Sequence, residues 1–268
     1  MRRTITIIIS GLIFFACGSK ENQKKKLDAG PSEENVLQTR LERTVKYLSG
    51  KDTVAAYFSL PQGEESFPSV ILIHERWGLN DWIKDNADKF AKRGYAALAI
   101  DLYRGKSTVK LDEALQLMNL LSKDIIIQDI QAAVAFLSNH KKVDKNKIGI
   151  IGWGMGGKNA LYAVTRIQNL KAVVINYGNL ITDQAEIKKI NCPILGIFGE
   201  TDRSIPVMDV QNFEQALKDA KKENKIIIYR NVGNAFMNPS SKESYNAEIT
   251  ERAWREIFAF LEKHLLIK

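Results

Sequence analysis

Cysteine is almost missing from this 268-residue chain, which holds only Cys17 and Cys192. Histidine is nearly as scarce, with His74, His140 and His264, so few side chains could act as a general base near neutral pH. No internal repeat or low-complexity block breaks the sequence. The N-terminal apolar stretch from Thr4 to Phe15 falls well short of the ~20 residues that a membrane-spanning helix needs. The net charge of +8 is scattered among acids, which fits solubility and attraction to anionic lipid but not nucleic-acid binding. Neither a cofactor nor a metal ion is expected from these residues.

The start of the chain has the layout of a targeting segment. Arg2 and Arg3 precede the apolar stretch, and Ala16-Cys17 places a cysteine directly after a small residue. Residues 1–16 therefore read as a signal peptide resembling that of bacterial lipoproteins, in which such a cysteine is lipidated and becomes the new N-terminus. Phe14 departs from that pattern, where leucine is usual three residues before the cysteine. The competing reading is an ordinary cleaved signal with an incidental cysteine. Lipidation of Cys17 would preclude an intramolecular disulfide and leave Cys192 as a small buried hydrophobe. Residues 17–40 carry Lys24-Lys25-Lys26, Gly30, Pro31 and Ser32 and read as a flexible tether. Residues 41–268 suit one domain, anchored to a membrane through the lipid and facing the cell envelope.

Within that domain, strands alternate with helices. Thr44–Leu48 and Thr53–Leu60 form an expected hairpin around Gly50, and Ser69–His74 a buried strand. Asn80 caps a helix that runs to Arg93 and stops at Gly94. Tyr95–Ile100 is the next strand, followed by helices over Leu111–Leu121 and Ile125–Asn139. Further strands are expected over Lys147–Ile151, Lys171–Tyr177, Pro193–Phe198 and Lys225–Tyr229. Helices are expected from Lys158, over Asp209–Lys221 and over Tyr245–His264. The pattern predicts an α/β fold: a mostly parallel sheet with helices on both faces and an N-terminal β-hairpin.

Residues 152–157 read Gly-Trp-Gly-Met-Gly-Gly between an apolar strand and an alanine-rich helix. Gly152, Gly154 and Gly157 satisfy G-x-G-x-x-G, a pattern that can cradle a dinucleotide. That reading also needs an acid about 20 positions on, at the end of the next strand, and the strand ending Ile175-Asn176-Tyr177 supplies none. A strand, a glycine-packed turn and a helix also build the elbow that presents the nucleophile in α/β-hydrolases. Its middle position here is Gly154, which has no side chain to attack a carbonyl.

Four segments, in order, resemble the dienelactone hydrolase family of the α/β-hydrolase superfamily. They are His74-Glu75-Arg76-Trp77-Gly78-Leu79 with Asp101-Leu102-Tyr103, the elbow, Phe198 to Pro206, and Gly233 to Asn238 with the closing helix. The resemblance covers nearly all of residues 50–266. It implies that Asp202 is the triad acid and that Glu75 is the glutamate controlling the family's cysteine. It places Gly154 at the nucleophile position, Asn234 at the histidine position, and Asn238 where an arginine grips substrate. It also implies an oxyanion hole from the backbone amides of Arg76 and Met155, which needs no side chain at 154.

Several of these residues allow a plainer account. His74 reads as an orienting hydrogen-bonder, Asp202 and Asn234 as a structural pair, and Glu75 as a loop-holding carboxylate. Trp77 and Trp153 either line a pocket beside His74 or pack in the core. The leading expectation is an envelope lipoprotein whose domain has a degenerate triad and binds a small ester, lactone or carboxylate, or acts as a scaffold. The alternative is an active carboxylic-ester or lactone hydrolase in which Glu75 or His74 activates water.

Overall fold

The computed structural model describes Gln38 and residues 40–266. The signal peptide and Cys17 lie outside the described residues. Eight strands form one sheet: β1 (Thr44–Ser49), β2 (Asp52–Ser59), β3 (Phe67–Ile73), β4 (Ala96–Ile100), β5 (Val143–Trp153), β6 (Ala172–Asn176), β7 (Ile194–Gly199) and β8 (Asn224–Tyr229), in the order β1-β2-β4-β3-β5-β6-β7-β8. The β1–β2 and β2–β4 pairs are antiparallel, and the other neighbours run parallel. Every residue of β3, β4 and β6 is buried, as expected of parallel strands covered on both faces. The edge strand β1 instead alternates exposed with more buried residues.

Helices α1 (Asp81–Ala91), α2 (Leu111–Asn119), α3 (Lys123–Ser138), α4 (Met155–Val164), α5 (Gln184–Lys188), α6 (Val207–Asp219) and α7 (Ala247–Leu261) connect and flank the strands. One apolar layer packs α1 and α7 on the sheet through Ile83, Phe90, Trp254 and Ile257. The other packs α3, α4 and α6 through Ile130, Leu161 and Phe213. This is the expected α/β architecture. No helix among the described residues is long and apolar enough to cross a membrane.

Capping residues set the helix boundaries. Asn80 accepts from the Ile83 amide at 3.2 Å, so α1 starts where expected, and Gly94 follows its end at φ +86°. Ser122 accepts from the Ile125 amide at 3.2 Å, so α3 begins two residues before the expected start. Asn246 accepts from the Ile249 amide at 3.0 Å and moves the start of α7 to Ala247; past Leu261 the helix widens to a π-turn over Glu262–Leu266. Helix α5 has no counterpart in the sequence reading. Its only signal is Asp183, which accepts from Ala185 and Glu186 amides at 2.7 and 3.1 Å.

The chain turns left from β3 to β4 and then returns to the other side of β3 as β5. That reversal leaves a crevice at the carboxyl ends of β3 and β5, where open α/β sheets place their ligands. Buried Asp129 on α3 steadies the left flank. It receives Arg104 Nη1 and Nη2 at 2.7 and 3.0 Å and Ser49 Oγ at 2.6 Å, tying the hairpin to the loop after β4.

Candidate active site

The segment after β3 supplies His74, Glu75 and Arg76. His74 is fully buried. Its Nδ1 lies 2.6 Å from the Glu75 carbonyl, which can only accept, so Nδ1 carries the proton. Its Nε2 then accepts from the Leu102 amide at 3.2 Å. Both ring nitrogens are committed, and burial pulls the ring's pKa down, holding it neutral. His74 ties the β3 loop to the β4 loop and lies outside the cavity described below, so the expectation that it borders the pocket is corrected.

Glu75 is also buried, and its Oε2 accepts from Asn238 Nδ2 at 2.6 Å. Burial pushes its carboxyl up to about 7, against the opposing pull of the Asn238 bond, the nearby Tyr177 hydroxyl and the Arg76 charge. Asn238 is fully buried beneath the site. It holds Glu75, and its side chain has no access to a ligand.

Between β5 and α4 the chain makes the elbow. Gly154 sits at φ +54°, ψ −115°, and its amide donates to the Asn176 carbonyl at 2.9 Å. The glycines around it differ in purpose. A Cβ on Gly152 would lie 2.1 Å from the Gly156 carbonyl oxygen, and one on Gly156 would lie 2.2 Å from the Ile73 carbonyl oxygen. Those two positions are glycine because backbone meets backbone. A Cβ on Gly154 would meet nothing within 4 Å. The space for a side chain at 154 is open, and only the backbone conformation favours glycine there.

The loop after β7 brings in Asp202, which is buried. Its Oδ1 accepts from the Ser204 and Ile205 amides at 2.8 and 3.1 Å. Its Oδ2 accepts from Asn234 Nδ2 at 2.8 Å, and the same amide lies 3.4 Å from the Tyr177 carbonyl. Asn234, Gly154, Met155 and Arg76 line one cavity of about 470 Å³. Met155 heads α4, where the first amides have no carbonyl of a preceding turn to bond. No described residue accepts from the Arg76 amide. The Tyr103 hydroxyl, 3.2 Å from the Arg76 carbonyl and 3.3 Å from Met155 Sδ, bridges the two donor loops.

The tryptophans take the core alternative. Trp153 is fully buried on the α1–α7 side, 5.6 Å from Trp82 and 6.1 Å from Trp254 between ring centroids. Trp77 is half-buried beneath the Arg76 guanidinium, 5.7 Å away, and does not line the cavity. Sequence reasoning missed Tyr103 and Tyr177. It also missed Lys123, Lys158 and Asn159, all of which line the cavity. Lys158 and Asn159 had a signal, since they fall in the first turn or so after the elbow. Lys123 had none. Among the described residues no three His, Cys, Asp or Glu side chains group as metal ligands.

Comparison with known proteins agrees with this architecture. The sequence model of the dienelactone hydrolase family matches residues 54–265. A Yersinia pestis protein named "Putative carboxymethylenebutenolidase" is 31% identical over 229 residues, covering 80% of this chain and 85% of its own. An Escherichia coli K12 protein of the same name is 30% identical over 256 residues, covering 88% and 93%. The solved structure of a "Putative Dienelactone Hydrolase" from Klebsiella pneumoniae superposes with a TM-score of 0.76 at 24% identity, over 82% of this chain and 98% of its own. With the matched residues spanning most of the domain and the same fold in a solved relative, the chain belongs to the dienelactone hydrolase family.

Proposed function

We propose that this domain is a non-catalytic member of its family that binds a small ester, lactone or carboxylate at the elbow cavity without turning it over. The observation that carries this reading is the Asn234–Asp202 hydrogen bond of 2.8 Å. An amide stands where the family's base would receive its orienting carboxylate, and an amide nitrogen has no available lone pair to take a proton. Across the cavity, Gly154 offers no nucleophile. The backbone amides of Arg76 and Met155 remain to receive an oxyanion or a carboxylate.

A second reading, hydrolysis of a carboxylic ester or lactone through other residues, is favoured by the names of the relatives. Its candidate bases are poorly placed. His74 has both nitrogens engaged, and Glu75 points at Asn238 outside the cavity lining. We propose further that the protein is held at the bacterial envelope by a lipid on Cys17, a reading supported by the Ala16-Cys17 junction and the polar tether after it.

The test is a sensitive assay on activated esters and on dienelactone. The expected result is no turnover above a buffer blank, in an assay sensitive enough to detect the residual ~10³–10⁴-fold over water that an oxyanion hole alone can leave. Robust hydrolysis that disappears in Glu75→Gln or His74→Ala would establish the second reading instead.

A further inference from the structure

Resting on the ligand-binding reading above, we propose that the elbow cavity takes a single-chain anionic amphiphile, a fatty-acid carboxylate, with its head at the elbow and its tail along the α2–α3 wall. The charge of the lining is one-sided. Arg76, Lys123 and Lys158 line the cavity, and no aspartate or glutamate does. None of these three cations forms an ion pair with a described residue. Lys123 Nζ instead rests 5.4 Å from the Tyr162 ring centroid, and Tyr162 lies one helical turn from Lys158 on α4. Asn159 also lines the cavity and is more than nine-tenths buried; its side-chain nitrogen, without a hydrogen-bond partner, lies behind that lining. Together with the first amides of α4, the three cations give the lining donors and positive charge with no anion among them.

The rest of the lining has the opposite character. Met118, Leu121, Ile126, Leu180, Ile181 and Ile205 form its apolar part. A small hydrophilic anion would leave that surface in water, and an uncharged lipid would leave the cations without a partner. A carboxylate on an alkyl chain satisfies both. The volume of about 470 Å³ falls within the ~300–1,000 Å³ typical of small-molecule pockets. The segment that gives Met118 and Leu121 to the lining, α2 and the turn after it, also exposes Leu115 and Leu120 to solvent, at 46% and 74%.

The experiment is isothermal titration of the purified protein, freed of bound lipid, with butyrate, octanoate and dodecanoate below their micelle concentrations. Dodecyltrimethylammonium and methyl dodecanoate serve as probes without the negative charge. Affinity is expected to rise with chain length by up to about fourfold per buried methylene, and both uncharged and cationic probes should bind more weakly than dodecanoate. The double variant Lys123→Gln/Lys158→Gln should weaken dodecanoate by about tenfold with unchanged thermal stability. Leu121→Asp should remove the dependence on chain length. Equal affinity for butyrate and dodecanoate, equal affinity for the cationic probe, or no binding of any carboxylate would overturn the proposal. Those results would leave the non-catalytic reading standing. Conversely, release of dodecanoate from methyl dodecanoate would overturn the non-catalytic reading and leave the ligand class intact.

Discussion

Replacing Gly154 with alanine separates backbone strain from packing at the elbow. The built Cβ meets no atom within 4 Å, so alanine adds no clash. What it adds is an L side chain at φ +54°, ψ −115°. That ψ lies far from the small left-handed basin, near +30 to +60°, which non-glycine residues visit at modest cost. Strain of this kind costs ~1–3 kcal/mol. Alanine also narrows the unfolded ensemble, which offsets ~0.4–1 kcal/mol. The net expectation is destabilisation by about 0.5–2 kcal/mol, read as a lower urea midpoint at unchanged slope. Two controls bracket the effect. Gly94→Ala also faces open space, at φ +86°, and should cost a similar amount. Gly152→Ala would force Cβ against a backbone oxygen 2.1 Å away and should cost far more or prevent folding. Gly154→Ser should behave like Gly154→Ala and gain no esterase activity while Asn234 remains. A neutral or stabilising Gly154→Ala beside a destabilising Gly94→Ala would refute the strained-elbow account.

Three further outcomes follow from the site. The Glu75 carboxyl, raised by burial from an ordinary 4.5 to about 7, holds its proton more tightly folded than unfolded, so its contribution to stability is complete below pH 4.5 and is lost as pH rises through 7. Glu75→Gln keeps the Asn238 bond and removes that loss. The variant should therefore gain on the parent between pH 4.5 and 7 in urea melts, by an upper limit on the order of 3 kcal/mol, and a constant difference would sink the assignment. Asp202→Ala strands two backbone amides and the Asn234 amide and should cost ~2–4 kcal/mol, whereas Asn234→Ala should cost about 1 kcal/mol; equal losses in thermal melts would show that the carboxylate is not the hub. In a bacterial host, an alkyne fatty acid should label the full chain and fail to label Cys17→Ser, and unlabelled soluble protein would remove the lipid anchor.

Much of the fold was legible because its signals are local. Asn80 and Gly94 bracket α1 within a few residues of sequence, and the buried strands carry apolar runs such as Val70–Ile73 and Ala96–Ile100. The five-residue α5 is too short to carry a periodicity and forms through tertiary packing. Trp153 could not be placed for a related reason. On a strand covered on both faces, hydropathy does not alternate, so Ile150 and Ile151 look alike although they face opposite layers. The Glu75–Asn238 bond joins residues 163 apart in sequence, and no local pattern announces it. The glycines posed the converse problem. Gly152, Gly154 and Gly156 are identical letters, and only the distances around each show that two are fixed by packing and one is not.

That difference shows which parts of the elbow the fold itself requires. The close contact of β3, β5 and α4 depends on Gly152 and Gly156, whose replacements would collide with backbone. The loops carrying the Arg76 and Met155 amides are fixed by His74, which joins Glu75 to Leu102, and by Tyr103, which joins Arg76 to Met155. None of these contacts involves a side chain at 154. Asp202 retains two backbone amides whichever residue occupies 234. On the non-catalytic reading proposed above, positions 154 and 234 are ones that the scaffold does not need, whereas the amides of Arg76 and Met155 belong to backbone that it cannot lose. Glycine at 154 and asparagine at 234 are therefore compatible with an intact cavity. On that reading, the shape and charge of the lining, three cations beside an apolar wall, decide what the cavity holds.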